Sequence, residues 1–313
     1  MKTSIKFFAG FTLAIGMGMA SAATSNAATC TTVVRMINGV WNPEHQTINT
    51  ATLRLLDVLK TDPSICVKLP LFNPGRGFIY DLVETNEMLR ATDITWWQNF
   101  RNTVASEALK APKYAVSALT GLNYQQEQNR LVMDMWATVK GDIDGGRNVI
   151  LIPHSQGNLF ANGIRQLADY TFDPKYTSAK KLMIIHLASP TLVIVEDKRS
   201  NYFLASVDLV VGLLFAQNKS NMTAFSDFDT IVLDDGRVIK LRRNVPFLGH
   251  GLLEVYMSSS IMARIVQTGT DSQNCIAAVQ TPLTALVNSI KATAACQADA
   301  SCSLNIYATC DNW

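Results

Sequence analysis

Short apolar runs rich in β-branched residues alternate along this chain with longer stretches of helical periodicity. The first run, Thr31 to Ile37, stops at Asn38-Gly39 and predicts a buried strand ending in a tight loop. A helix follows, with Leu53, Leu55, Leu56, Val58 and Leu59 assigned to its apolar face and Asp62-Pro63 at its end. Ile65 to Leu71 reads as a second strand, broken by the loop Asn73-Pro74-Gly75-Arg76-Gly77. Residues from about 78 to 120 interrupt the alternation with irregular, helix-like sequence that includes Leu89, Trp96 and Trp97, as an insertion capping the sheet would. Tyr124 to Lys140 is an amphipathic helix on the spacing of Leu131, Met135 and Val139.

Arg147 to Pro153 is a continuously apolar strand, and a helix from Gln156 to Leu167 begins almost at once behind it. Further strands are expected at Lys181 to Leu187 and Tyr202 to Val207. A hairpin is expected from Thr230 to Leu241 around Asp234-Asp235-Gly236, and a last helix from about Leu252 to Val266. The alternation predicts an α/β fold: an open, mostly parallel sheet with helices on both faces. Residues 271–313 read as a separate cysteine-rich appendage on a domain spanning 23–270.

The amino-terminus changes the picture first. Lys2 and Lys6, the apolar run Phe7 to Met19 and Ala20-Ser21-Ala22 have the layout of a signal peptide over residues 1–22, too short in its apolar part to span a bilayer. Export to the periplasm or the exterior is the expectation. Removing that segment takes two lysines from the 27 basic residues, which leaves them balanced against 25 acidic ones. A neutral chain has no bulk attraction for nucleic acid or anionic membranes. A monomer without nucleic-acid partners or a stable membrane span is expected.

All six cysteines lie beyond the leader, where an oxidising compartment favours three disulfides. Cys30 and Cys66 each open a strand-like run and are paired in this reading, which leaves Cys275, Cys296, Cys302 and Cys310 among themselves. No C-x-x-C spacing suggests zinc or a redox dithiol. No metal or cofactor is expected.

The chemistry centres on Ser155. A serine directly between a buried strand and a helix presents its hydroxyl at the carboxyl edge of the sheet, where the helix amino-terminus offers free N–H donors to a developing oxyanion. The segment Pro153-His154-Ser155-Gln156-Gly157 resembles the nucleophile elbow of the α/β-hydrolase superfamily, in which small residues flank the serine because the turn is tight. Pro153 stands where that motif has its first glycine.

The resemblance, to lipase- and esterase-like members in particular, covers about Thr31 to Gln267. It implies a general base near the end of the domain, and His250 in the glycine-flanked loop Phe247-Leu248-Gly249-His250-Gly251 takes that place. Of the other histidines, His45 reads as a loop residue, His154 as packing and hydrogen bonding behind the elbow, and His186 as a core imidazole. The orienting acid should fall between serine and histidine in chain order, which favours Asp208 over Asp227 and Asp229. Asp234 and Asp235 are better explained by the hairpin turn. The fold's oxyanion donors would be the N–H groups of Gln156 and Val40, with Asn38 and Gly39 shaping the loop and Gly157 the turn.

The expected activity is cleavage of small-molecule or lipid carboxylic esters. The alternative is a binding or adhesion module that kept the fold and lost turnover.

Overall fold

A computed structural model of the protein describes residues 30–39, 45–74, 123–171, 173–178, 181–190, 200–205, 208, 211, 222–224, 230–232, 238–240, 250–268 and 275–299. The signal-peptide segment, the insertion at 78–120, Val40, Asp227, Asp229, Asp234, Asp235, Cys302 and Cys310 lie outside the described residues. The elements in chain order are β1 (Thr32–Ile37), α1 (His45–Leu59), β2 (Ile65–Val67), α2 (Asn123–Asp144), β3 (Asn148–Pro153), α3 (Gly157–Tyr170), α4 (Pro174–Thr177), β4 (Leu182–Leu187) and β5 (Ser200–Phe203). Three short strands follow, β6 (Met222–Ala224), β7 (Thr230–Val232) and β8 (Val238–Lys240), then one turn of π-helix (Leu252–Tyr256), β9 (Ala263–Thr268), β10 (Cys275–Gln280) and α5 (Pro282–Ala298).

Strands β1 to β5 form one sheet in the order β2-β1-β3-β4-β5, and every pair in it is parallel. The chain moves outward from β1 to β2 and then returns across β1 to lay down β3. That reversal opens a crevice at the carboxyl ends of β1 and β3, the place where doubly wound sheets bind ligands.

Burial on both faces explains why the strands read as unbroken apolar runs. Side chains alternate: Val34, Met36, Ile150, Ile152, Met183 and Ile185 join the core under α1 and α5. Ile37, Val149, Leu151, Leu182 and Ile184 join the core under α2 and α3. Arg35 of β1 lies in the second layer as a buried charge, with its Nε donating to Asp142 of α2 at 2.7 Å. Lys68 and Arg147 also reach that carboxylate. Burial of Asp142 opposes its ionisation, but the hydrogen bonds from Arg35 and Lys68 outweigh it and hold the carboxyl below its usual range.

Several expectations are corrected. In α1 the buried stripe is Ile48, Ala51, Leu55 and Leu59, spaced by three and four residues, whereas Leu53, Leu56 and Val58 lie on the solvent side. The second strand is regular only to Val67, because Pro70 has no N–H to give the ladder, and Leu71 rejoins β1 by a single bridge to Ile37. No helix runs from 252 to 266. Instead the Ser258 hydroxyl accepts from the N–H groups of Ser260 and Ile261, a local bond that competes with helix continuation. The β-branched run after it becomes β9, paired antiparallel with β6 and β10.

Residues 275–299 of the tail pack with the rest of the described structure. β10 completes that second sheet, and α5 buries Ala285, Leu286, Ile290 and Ala294 in the core beside β1, β3 and β4. A disulfide joins Cys30 and Cys66 at the amino-terminal ends of β1 and β2, and Cys296 of α5 is also disulfide-bonded. Among the described residues no helix is long and apolar enough to cross a membrane.

Candidate active site

β3 runs straight into the crevice, and its neighbours hold the turn that ends it. The His154 N–H donates to the Ile37 carbonyl of β1 and the Ser155 N–H to the Leu187 carbonyl of β4, each at 3.0 Å. Pro153 is accommodated because the β3–β4 ladder stops at the Leu151–Ile184 pair and resumes only as a bridge between His154 and Leu187. The residue without an N–H falls in that gap.

Ser155 sits at φ +54°, a left-handed conformation that costs a non-glycine residue energy and persists only where its surroundings impose it. Part of the restraint comes from Asn158, the second residue of α3, whose amide donates to the carbonyls of Ser155 at 2.7 Å and Leu187 at 2.9 Å. The rest comes from close approach. A Cβ on Gly157 would lie 2.7 Å from the Ile37 carbonyl oxygen, and one on Gly39 would fall on the His154 carbonyl oxygen and the Ser155 Cβ.

His250 reaches this serine from the loop preceding the π-turn, and its Nε2 is 2.7 Å from Ser155 Oγ. On the ring's other side Nδ1 lies 2.9 and 3.0 Å from the two oxygens of Asp208, which follows β5. An ionised carboxylate only accepts, so Nδ1 carries the proton and Nε2 presents a bare lone pair to the serine hydroxyl. Ser155, His250 and Asp208 are all buried. Segments far apart in sequence thus bring a serine hydroxyl, an imidazole and a carboxylate together in hydrogen-bonded order.

No family model, no curated protein and no solved structure matches this chain. The geometry therefore stands on its own residues.

Asn38 and Gly39, at the exit of β1, flank the serine. The Asn38 amide donates to the Asn73 carbonyl at 2.7 Å and accepts from the Asn73 N–H at 2.6 Å, while the Asn73 side chain donates to Gln156 Oε1 at 2.8 Å. This chain of amides ties the β1 loop to the residue after Ser155. The Gln156 backbone N–H, at the start of α3, has no acceptor among the described residues, whereas the next three N–H groups bond back to the turn. It is available to an oxyanion.

His154 lies behind the base. Its Nε2–H donates to the His250 carbonyl at 2.9 Å, and its ring centroid is 5.0 Å from that of His250. Burial, helped by the neighbouring His250, holds His154 far below the usual imidazole range. His186 is fully buried in β4, with Nδ1–H donating to Asn158 Oδ1 at 2.7 Å. Burial, with Arg165 nearby, pushes it down to about 3. Both rings fold neutral, and His45 merely opens α1.

A buried neutral histidine makes stability depend on pH with a definite sign. Below about pH 6.5 the unfolded chain binds a proton at each of these positions that the folded chain refuses, so acidification destabilises the fold. Each contributes a slope of up to about 1.4 kcal/mol per pH unit. For His186 it persists down to about pH 3. Urea midpoints measured from pH 7.5 to 4.5 should fall steadily, and a flat profile would contradict the neutral assignment.

Three residues of the site escaped sequence reasoning: Asn158, Asn73 and Tyr256. Asn158 left a trace, an amide beside the apolar Leu159-Phe160-Ala161 at the start of the helix, where it can bond back to the preceding turn. Tyr256 was hidden in a segment with helical periodicity. Its hydroxyl donates to Asp208 Oδ2 at 2.6 Å.

Proposed function

We propose that this chain is an exported serine hydrolase on an α/β-hydrolase scaffold, cleaving carboxylic esters through an acyl-enzyme on Ser155. The observation that carries the reading is the 2.7 Å contact between His250 Nε2 and Ser155 Oγ, backed by Asp208 on the ring's other nitrogen. The Cys30–Cys66 disulfide and the leader-like first 22 residues support export.

The chemistry follows from those contacts. Ser155 Oγ attacks the ester carbonyl while its proton passes to His250 Nε2, and Asp208 stabilises the imidazolium and keeps the ring's orientation. The carbonyl oxygen gains the charge and accepts the Gln156 N–H, a donor worth about 3 kcal/mol to the transition state. His250 returns the proton to the departing alcohol. Water then attacks the acyl-enzyme, giving its proton to His250, and the carboxylic acid leaves as Ser155 recovers its hydrogen. Small-molecule and lipid esters are the substrate class.

A fluorophosphonate probe tests this directly, because its phosphorus is attacked by an activated serine and by little else. Covalent labelling of the folded wild type, lost in Ser155→Ala, is the expected result. A well-folded wild type that takes up no probe would instead favour a binding module. A chain-length series of nitrophenyl esters then separates long-chain from short-chain preference.

A further inference from the structure

We propose that Tyr256 is a positioning residue of this triad, a fourth member that fixes the Asp208 carboxylate and sets how strongly it supports His250. The inference rests on the hydrolase reading of Ser155, Asp208 and His250. It starts from the acceptor side of Asp208, whose side chain is fully buried. Three donors converge on this carboxylate: His250 Nδ1–H, the Val211 N–H at 2.9 Å onto Oδ1, and the Tyr256 hydroxyl at 2.6 Å onto Oδ2. The tyrosine bond is the shortest of them, as a hydroxyl donating to a charged oxygen should be.

Tyr256 is itself held on both sides. Its oxygen accepts the Ala205 N–H at 3.2 Å, so the phenol bridges the end of β5 to the acid that follows it. Its ring meets the His154 ring edge-on at 5.6 Å, and His154 in turn lies against His250. The backbone explains how the side chain gets there. The Tyr256 and Met257 N–H groups bond five residues back, to Gly251 and Leu252, and this wider turn sets Tyr256 beside Asp208 only six residues after the base.

Among the described residues, Asp208 is the charged group that acts on the phenol. Arg54 of α1 donates to the Leu253 and Met257 carbonyls rather than to the phenol, while Glu254 of the π-turn, Arg264 of β9 and Lys291 of α5 are exposed. Among the described residues, Asp208 and His154 are the titratable groups in contact with the Tyr256 side chain. Burial and the Asp208 charge push the phenol well above its usual range, so it stays a donor throughout the working pH interval.

The Tyr256 hydroxyl donates to Oδ2, the carboxylate oxygen 2.9 Å from Nδ1, and so draws off part of the negative charge that faces the imidazolium. Without it the carboxylate is both easier to protonate and a stronger partner for the imidazolium, and either effect carries the loss of free base to higher pH. Tyr256→Phe keeps the ring and its contact with His154 and removes only the hydroxyl. In full-length protein the acid limb of kcat/KM for a nitrophenyl ester should move up by about half a pH unit or more. The kcat at neutral pH should fall about tenfold with KM little changed.

Tyr256→3,5-difluorotyrosine keeps the hydrogen bond with a stronger donor, and its acid limb should move down; this variant carries the test if Tyr256→Phe does not fold. Limbs that stay at the wild-type position in both variants, even with a uniformly lower rate, overturn the positioning role alone. A wild type that neither turns over ester nor shows Ser155-dependent probe labelling overturns the hydrolase reading and this inference together.

Discussion

His250→Ala is expected to lower ester turnover by roughly 10⁶-fold, the scale on which a serine hydrolase loses rate when its base is deleted. The reason is geometric. Two other histidines cannot substitute: the Nε2 of His154 is committed to the His250 carbonyl, and His186 is buried in β4 on Asn158. Asp208→Asn should cost less, roughly 10⁴-fold, because an amide next to Nδ1 favours the wrong tautomer while leaving serine and imidazole in contact. The double variant Ser155→Ala/His250→Ala should be no slower than either single one, since the two groups act as a unit. Steady-state rates on a nitrophenyl ester measure all four proteins, and additive losses in the double variant would count against a shared proton-transfer step.

Gly39→Ala should be nearly as damaging although it removes no reacting group. The added methyl would fall on the Ser155 Cβ and the His154 carbonyl oxygen, and neither is the free end of a flexible side chain. The β1 loop or the elbow must move. Displacing a nucleophile by as little as about 1 Å costs on the order of 100-fold in rate, and overpacking a dense site costs about 1–3 kcal/mol of stability. Gly141→Ala is the matched control. Gly141 lies exposed within α2 with no atom near its missing Cβ, so the same substitution should stabilise the protein by up to about 1 kcal/mol and leave the rate alone. Denaturation midpoints and kcat/KM of the two variants compare the effects; equal behaviour would remove the argument from close approach.

Much of the scaffold was legible because its signals are local. A six-residue apolar strand ending at Pro153 and a helix starting at Gly157 leave Ser155 only a short turn, and nothing beyond neighbouring residues is needed to see it. The pairing of Cys30 with Cys66 was legible for a related reason: each lies near the start of a strand-like run, and the two runs become parallel neighbours. The last helix was misread because periodicity over 252–266 records which residues are apolar and not which backbone groups find partners. Ser258 ends the turn locally, and β9 exists because β6 and β10 lie ready to take its hydrogen bonds. The packing of α5 was not legible for the same cause, since cysteine density says nothing about whether that helix has a sheet face to cover.

By itself, then, the order of residues determined the alternating strands and helices, the bend that carries one serine, and the glycines beside it, all consequences of side-chain period and steric room within a few positions. Only the tertiary structure decided which acid and which imidazole meet that serine, that Tyr256 holds the acid, that Asn38, Asn73 and Gln156 link the loops, and that Arg35 finds Asp142 in the core. These contacts join residues from 35 to 107 positions apart, and hydrogen bonds of that kind depend on where the sheet order delivers each strand end.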